Sequence, residues 1–272
     1  MFGVILNITH KWVGVVFRGT IGATDIETDR NFVFDHGPYE RCITEDQKPG
    51  SHMGFTEYLF TKREHDSVDR PIIDRIMASV DDAFKNNPDV TDDFKLYTTG
   101  HSLGGGLSNL FAFHVAHKKE QNDEDIKHLP KKITAMTFAA PVIGNADLQT
   151  EYQSLEKQGF LRHVRVSNEG DLIPTNSITF PLSLAIKGDT TKYHQNGMNL
   201  FLKPKGQMEI DYVNTKTCTS QLHLNPMNNL ACHLLPMYRE RVALPENEAL
   251  YEQTIEELYK QALMDWLIIP PE

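Results

Sequence analysis

The chain has 272 residues, 40% of them hydrophobic and 24% charged, which fits one large globular domain or at most two small ones. Its formal net charge of −10 argues against a nucleic-acid partner and against electrostatic attraction to anionic lipid. No apolar run approaches the ~18–20 residues of a membrane span. The first residues, Met1 to Asn7, lack the basic flank and small-residue cleavage site of a signal peptide. The expected location is therefore intracellular, with export expected only if the true N-terminus lies upstream. Cys42, Cys218 and Cys232 have no metal-type spacing. A Cys218–Cys232 pair would accompany export, and free thiols a reducing compartment.

In chain order, Gly3 to Asn7 and Trp12 to Phe17 are β-rich runs joined by Ile8-Thr9-His10-Lys11, and together predict a hairpin. Ile21 to Gly50 is irregular and acidic in its first part, the pattern of a long functional loop. A helical stretch follows, with Phe55 to Thr61 as its first part. Val68 to Phe84 forms the rest, with Ile72, Ile73, Ile76, Val80 and Phe84 at helical spacing and Asn86-Asn87-Pro88 as the stop. A strand over Phe94 to Thr99 and a helix over Leu103 to His117 follow. Lys118 to Lys132 reads as a solvated loop. Ile133 to Phe138 and Phe160 to Val166 are strands flanking a helix over Asp147 to Lys157. Residues 175–198 read mostly as loop, Leu200 to Leu202 and Met208 to Val213 as edge strands, and Leu222 to Arg241 as a weak helical segment. Glu246 to Ile269 predicts a long amphipathic helix. Its Glu-rich polar face points to packing on the domain or a partner rather than on a membrane. Strands alternating with helices predict an α/β fold in a single domain.

The chemistry concentrates in Gly100-His101-Ser102-Leu103-Gly104, which lies between the strand and the helix. G-x-S-x-G in this context is the pattern of a nucleophile elbow. Small residues flanking Ser102 allow a tight, strained turn, and the helix N-terminus aims free N–H groups at the same spot. The backbone N–H of Leu103 would stabilise an oxyanion there.

A serine hydroxyl needs an imidazole to take its proton and a carboxylate to orient the imidazole. In elbow-type hydrolases the acid follows the serine and the histidine comes last. Asp171, just beyond a strand and between Gly170 and Pro174, fits best. Asp147 comes second and reads as a first-turn helix charge, and Asp189 is weaker. His194, His223 and His233 compete for the base on position alone.

Five stretches and a later histidine then resemble the class 3, fungal-type lipase family of the α/β-hydrolase fold. They are Val15-Val16-Phe17-Arg18-Gly19-Thr20, His52-x-Gly54-Phe55, Thr99 to Gly105, Phe138 to Asn145, Arg165 to Pro174, and His233 with Tyr238. The resemblance runs from about Gly3 to Tyr238. It implies a mostly parallel central sheet flanked by helices and a Ser102–Asp171–His233 triad. It also implies Thr20 as an oxyanion donor beside Leu103, and a lid over Thr20–Phe34 that can touch lipid transiently. His194 matches a strand-start element of the family rather than the base. Family members usually carry a helical region and a further strand before the hairpin, where this chain begins.

The expected organisation is one lipase-like domain over 1–272, with a hydrolase core over 1–241 and the C-terminal helix over 242–272. The expected function is acyl transfer from a lipid ester through an acyl-enzyme, with no metal and no cofactor. The acidic lid, with few large apolar residues, leaves open a carboxylesterase or phospholipase. An inactive lipid- or protein-binding scaffold is the reading from another class.

Overall fold

The computed structural model describes residues 2–19, 31–32, 34–36, 48–62, 69–171, 173–174, 187–188, 193–204, 208–212, 231–248 and 252–260. The strands are β1 (Phe2–Asn7), β2 (Trp12–Phe17), β3 (Asn31–Phe32), β4 (Phe34–Asp35), β5 (Ser51–His52), β6 (Lys95–His101), β7 (Ile133–Phe138), β8 (Leu161–Asn168), β9 (Lys187–Gly188), β10 (Met198–Leu202) and β11 (Met208–Tyr212). The helices are α1 (Met53–Phe60), α2 (Ile72–Lys85), α3 (Leu103–Glu120), α4 (Ala146–Gln158) and α5 (Leu235–Val242), with helical residues 255–260 forming α6.

Seven strands form one sheet in the order β1-β2-β6-β7-β8-β10-β11. The five central strands run parallel, and β1 and β11 are antiparallel edges. Alternation decides which side chains face inward. Leu96 and Thr98 of β6 and Ile133 and Ala135 of β7 share one face and are buried under α3. Helix α3 is apolar nearly all round, with Leu107, Leu110, Phe111 and Phe113 fully buried, as befits a helix at the centre of a fold. Helices α1, α2 and α4 surround it on the same side, with Phe113 stacked on Tyr152 of α4 at 5.7 Å. On the other face, Val164, Val166, Met198 and Leu202 pack with Tyr238, Leu258 and Tyr259.

The hairpin is as expected, with Lys11 in its turn at φ 54°. The predicted strand at 200–202 is β10. It pairs with both β8 and β11, so of the two predicted edge strands only β11 is an edge. Three expectations are corrected. The segment 118–132 is not a solvated loop, because α3 runs to Glu120 and a 3-10 turn over Glu124–Ile126 follows. Ile126 and Leu129, each 3% exposed, nail that segment to the core. Helix α2 begins at Ile72, after Pro71, rather than at Val68. The C-terminal helix does not start at Glu246, where Pro245–Asn247 is a 3-10 turn. It starts at 255 because Thr254 and Glu257 form a capping box: Thr254 N donates to Glu257 Oε2 at 2.7 Å, and Glu257 N donates to Thr254 Oγ1 at 3.2 Å. Residues 261–272 lie outside the described residues.

The C-terminal segment is seated on the core by Tyr259. Its hydroxyl donates to Glu156 Oε1 at 2.7 Å and meets both the N–H and the C=O of His163 at 2.5 Å. Strand β10 pairs with β8 only from Val164 onward, so the phenol caps the ladder where the neighbouring strand ends. Most of the expected lid, Thr20–Phe34, lies outside the described residues. At its end, Phe34 stacks on Tyr193 at 4.4 Å and pairs with His52 across β4 and β5.

Candidate active site

Strand register brings the site together. Gly100 of β6 lies opposite Thr137 of β7, Phe138 opposite Val166 of β8, and Asn168 opposite Leu202 of β10. The carboxyl ends of four parallel strands therefore share one edge, the usual place for a ligand crevice in an α/β sheet.

Ser102 sits at that edge with φ 57° and ψ −129°, a conformation a non-glycine residue holds only under strain. The neighbours explain how it is held. A Cβ on Gly100 would lie 2.2 Å from Gly104 O, and one on Gly104 would lie 2.4 Å from Phe17 O. Only glycine fits either place. Ser102 N donates to Phe138 O at 3.0 Å, and Ser102 O accepts from Gly105 N and Gly106 N at 2.8 and 3.1 Å, which starts α3. Leu103 opens that helix, so its N–H lies in the first turn, beyond reach of any carbonyl of the helix itself.

His233 Nε2 is 2.9 Å from Ser102 Oγ, and its Nδ1 is 3.1 Å from both carboxylate oxygens of Asp171. With Nδ1–H donating to the carboxylate, Nε2 is left to accept from the serine hydroxyl. Asp171 is fully buried at its side chain and His233 is 15% exposed, so the relay opens to solvent only at its histidine–serine end. Two further donors hold the carboxylate. Ile173 N donates to Oδ1 at 3.0 Å, and the Tyr238 hydroxyl donates to Oδ2 at 2.6 Å. Burial, and then the neighbouring Asp171, pushes the Tyr238 hydroxyl well above the usual phenol range, so it stays a donor. Asp171 N is itself held by Asn168 O at 3.0 Å.

The structure brings together Ser102, Asp171 and His233, with Leu103 beside them. Thr20 lies outside the described residues, as do the weaker candidates Asp189 and His223. Asp147 accepts from Lys48 N at 2.9 Å, and His194 N donates to Gly144 O at 2.8 Å. Both belong to the packing of the loop after β7. His52 is buried and stacks on Phe55 at 4.3 Å, a core role. Cys232, next to His233, is a buried free thiol, and Cys42 and Cys218 lie outside the described residues. No group of three or more metal-type ligands occurs among the described residues, and no helix there is long and apolar enough to cross a membrane.

Sequence reasoning assigned no role to Asn168, His101 or Arg241. Arg241 is buried and donates to Glu169 O at 2.9 Å and Leu202 O at 3.2 Å, tying α5 to the end of β8. The proximity of Asn168 to Asp171 in Ser167-Asn168-Glu169-Gly170-Asp171 was the available signal for the first of these.

Comparison with known proteins bears on the fold and the family. Phospholipase A1-II 5 of Oryza sativa subsp. indica is 36% identical over 83 residues, 30% of this chain and 17% of that protein. The chloroplastic phospholipase A1-Igamma2 of Arabidopsis thaliana is 25% identical over 180 residues, 62% of this chain and 31% of that protein. The chain thus spans under a third of the length of these curated relatives. Among solved structures, lipase II from Rhizopus niveus superposes with a TM-score of 0.56 at 22% identity, covering 86% of this chain and 73% of the other. The lipase from Rhizopus microsporus var. chinensis gives 0.55 at 20% identity, covering 86% and 68%. Both support the α/β-hydrolase fold. The family model described as Lipase (class 3) matches residues 14–180, more than half of the chain, and the chain therefore belongs to the class 3 lipase family.

Proposed function

We propose that the chain hydrolyses carboxylic esters of lipids through an acyl-enzyme formed on Ser102. His233 Nε2 takes the hydroxyl proton as Oγ attacks the ester carbonyl, and Asp171 stabilises the resulting imidazolium. The Leu103 N–H and Thr20 stabilise the tetrahedral oxyanion. His233 then protonates the departing alkoxide, and the acyl group stays on Oγ. Water repeats the cycle from the other side, releasing the fatty acid and restoring the hydroxyl. The observation that carries this reading is the buried relay, 3.1 Å from carboxylate to imidazole and 2.9 Å from imidazole to hydroxyl.

The lipid nature of the substrate is supported by the surface next to the relay. Leu234 and Leu235, directly after His233, are 52% and 54% exposed, and Pro236 is exposed beside them. An apolar rim at the mouth of a hydrolytic site suits a water-insoluble ester. Relatives named phospholipase A1 and structural neighbours named lipase point to acyl esters of glycerol lipids. We further propose that 1–241 and the C-terminal segment act as one unit, which the Tyr259 anchor on β8 supports.

The test is a hydrolysis panel of p-nitrophenyl acetate, monoglyceride, triglyceride and phosphatidylcholine, with Ser102→Ala as the partner protein. The expected result is turnover of at least one lipid ester by the parent and loss of at least 1,000-fold in the variant, about the scale of losing a triad member. Equal turnover by both proteins would overturn the reading. A parent that binds lipid vesicles yet cleaves none of the esters would instead favour the inactive scaffold.

A further inference from the structure

The histidine of the relay stands on a segment remote in sequence from both of its partners. Its imidazole needs to be placed to within a few tenths of an ångström of two other loops at once. Two side chains outside the relay make contacts that do this. Asn168 Nδ2 donates to Cys232 O at 3.0 Å. His101 Nε2 lies 2.8 Å from His233 O and, facing a carbonyl, is the donor. Consecutive carbonyls of the histidine segment are thus held from two sides.

The origins of the two anchors matter. His101 immediately precedes Ser102 in the elbow. Asn168 is three residues before Asp171, and its own C=O accepts from Asp171 N at 3.0 Å. Each anchor is therefore rigidly joined to a different partner of His233. The topology permits it: His101 and Asn168 end parallel strands on either side of β7, on the same sheet face, opposite α3, because His101 pairs with Phe138 and Phe138 with Val166. The contacts are not ones a surface loop would make by accident. Asn168 is 1% exposed, and its backbone N–H is also held by the Tyr238 hydroxyl at 3.0 Å. The His101 ring lies 5.0 Å from that of His233 and meets Tyr238 edge-on at 5.8 Å.

We propose that Asn168 and His101 are positioning residues that clamp the His233 backbone, so that acid and nucleophile each carry their own half of the histidine's alignment. Neither touches the reacting atoms. The state of His101 agrees with this role. Burial first, and then a charged His233 nearby, holds its imidazole below the usual histidine range. A neutral His101 donates its hydrogen bond without setting a second positive charge against the imidazolium that forms on His233 during turnover.

The proposal rests on the triad reading, and the experiment separates the two. The full chain is assayed with p-nitrophenyl acetate as Asn168→Asp, His101→Ala, His101→Gln, Ser167→Ala and Ser102→Ala. Thermal unfolding and the rate of fluorophosphonate labelling are measured on each. Asn168→Asp keeps the shape and removes the donor. His101→Gln keeps a donor near the same place. Ser167→Ala removes a different buried hydrogen bond on the same strand, to Asn199 Oδ1 at 2.7 Å, and serves as the purely structural control.

The expected result is a fall in kcat of about 10–100-fold for Asn168→Asp and His101→Ala, with KM within about twofold and labelling slowed in parallel. His101→Gln should recover to within a few-fold of the parent. Ser167→Ala should unfold at a lower temperature with kcat unchanged. Parent-like kcat in both Asn168→Asp and His101→Ala, or an equal loss in Ser167→Ala, would overturn the clamp while leaving the triad reading intact. Full activity in Ser102→Ala would overturn the triad reading and the clamp with it.

Discussion

Replacing Tyr238 by phenylalanine deletes one oxygen atom and leaves the ring where it is. That oxygen does two things in the folded protein. It donates to Asp171 Oδ2 at 2.6 Å and accepts from Asn168 N at 3.0 Å. Both contacts are fully buried, with Tyr238 1% exposed. A charge-assisted hydrogen bond of this kind contributes about 1.5–3 kcal/mol, and the stranded Asn168 N–H costs about 1–3 kcal/mol more. The expected destabilisation is therefore about 3–5 kcal/mol. For a chain of this size, at about 2–4 °C per kcal/mol, that is a fall in Tm of roughly 6–20 °C. The carboxylate would keep Ile173 N and His233 as partners but lose its shortest hydrogen bond, and kcat should fall about tenfold through looser orientation of His233. Differential scanning fluorimetry and steady-state kinetics on the same preparation read both numbers. A Tm within about 2 °C of the parent together with unchanged kcat would refute the reasoning.

Ser102→Gly should abolish hydrolysis yet raise Tm, because glycine relieves a backbone at φ 57° and ψ −129° that costs a serine about 1–3 kcal/mol; a lower Tm on thermal melting would show that no strain was stored. Gly104→Ala places a Cβ 2.4 Å from Phe17 O, which is backbone and cannot swing away, so it should lose both fold stability and activity, and parent-like circular dichroism and turnover would contradict the close approach. The part-buried His114 imidazole is held at about 4 by desolvation, then by Lys118 and His117, against 6.5 when unfolded. The folded state thus binds fewer protons, and stability is full above about pH 6.5 and lost as pH falls toward 4, by roughly 3 kcal/mol at about 1.4 kcal/mol per unit. Urea denaturation at pH 7 and pH 4 should show a smaller acid loss in His114→Gln than in the parent.

Local signals carried the parts of the site that are local. The elbow needed only strand, glycines and helix in succession, and Gly100 and Gly104 are where a Cβ would run into other backbone. The proposed acid was legible because Asp171 follows a strand end in a segment stiffened by Gly170 and Pro174. The proposed base was not, since nothing local separates His233 from His194 or His223. Only the fold settles that His194 meets Gly144 while His233 meets Ser102. Asn168 and His101 were missed for the same reason: their partners are 64 and 132 residues away in sequence. The end of β8 also ran past the expected Val166 to Asn168, which carries that side chain to the edge of the site. In contrast, the start of the C-terminal helix was readable and misplaced. Amphipathic spacing from Glu246 outweighed the capping box of Thr254 and Glu257, although a capping box is the stronger marker of where a helix begins.

The central claim is that Ser102 is a nucleophile activated by His233 and Asp171. Fluorophosphonate labelling followed by peptide mass spectrometry tests it most directly, because the probe reports the activated serine without requiring the natural substrate. The account predicts a single stoichiometric adduct on the peptide containing Ser102 in the parent, and labelling slowed by at least about 100-fold in His233→Ala and Asp171→Asn, whose loss disarms the nucleophile. An adduct on another residue, or labelling of Ser102 at the parent rate in both variants, would contradict it.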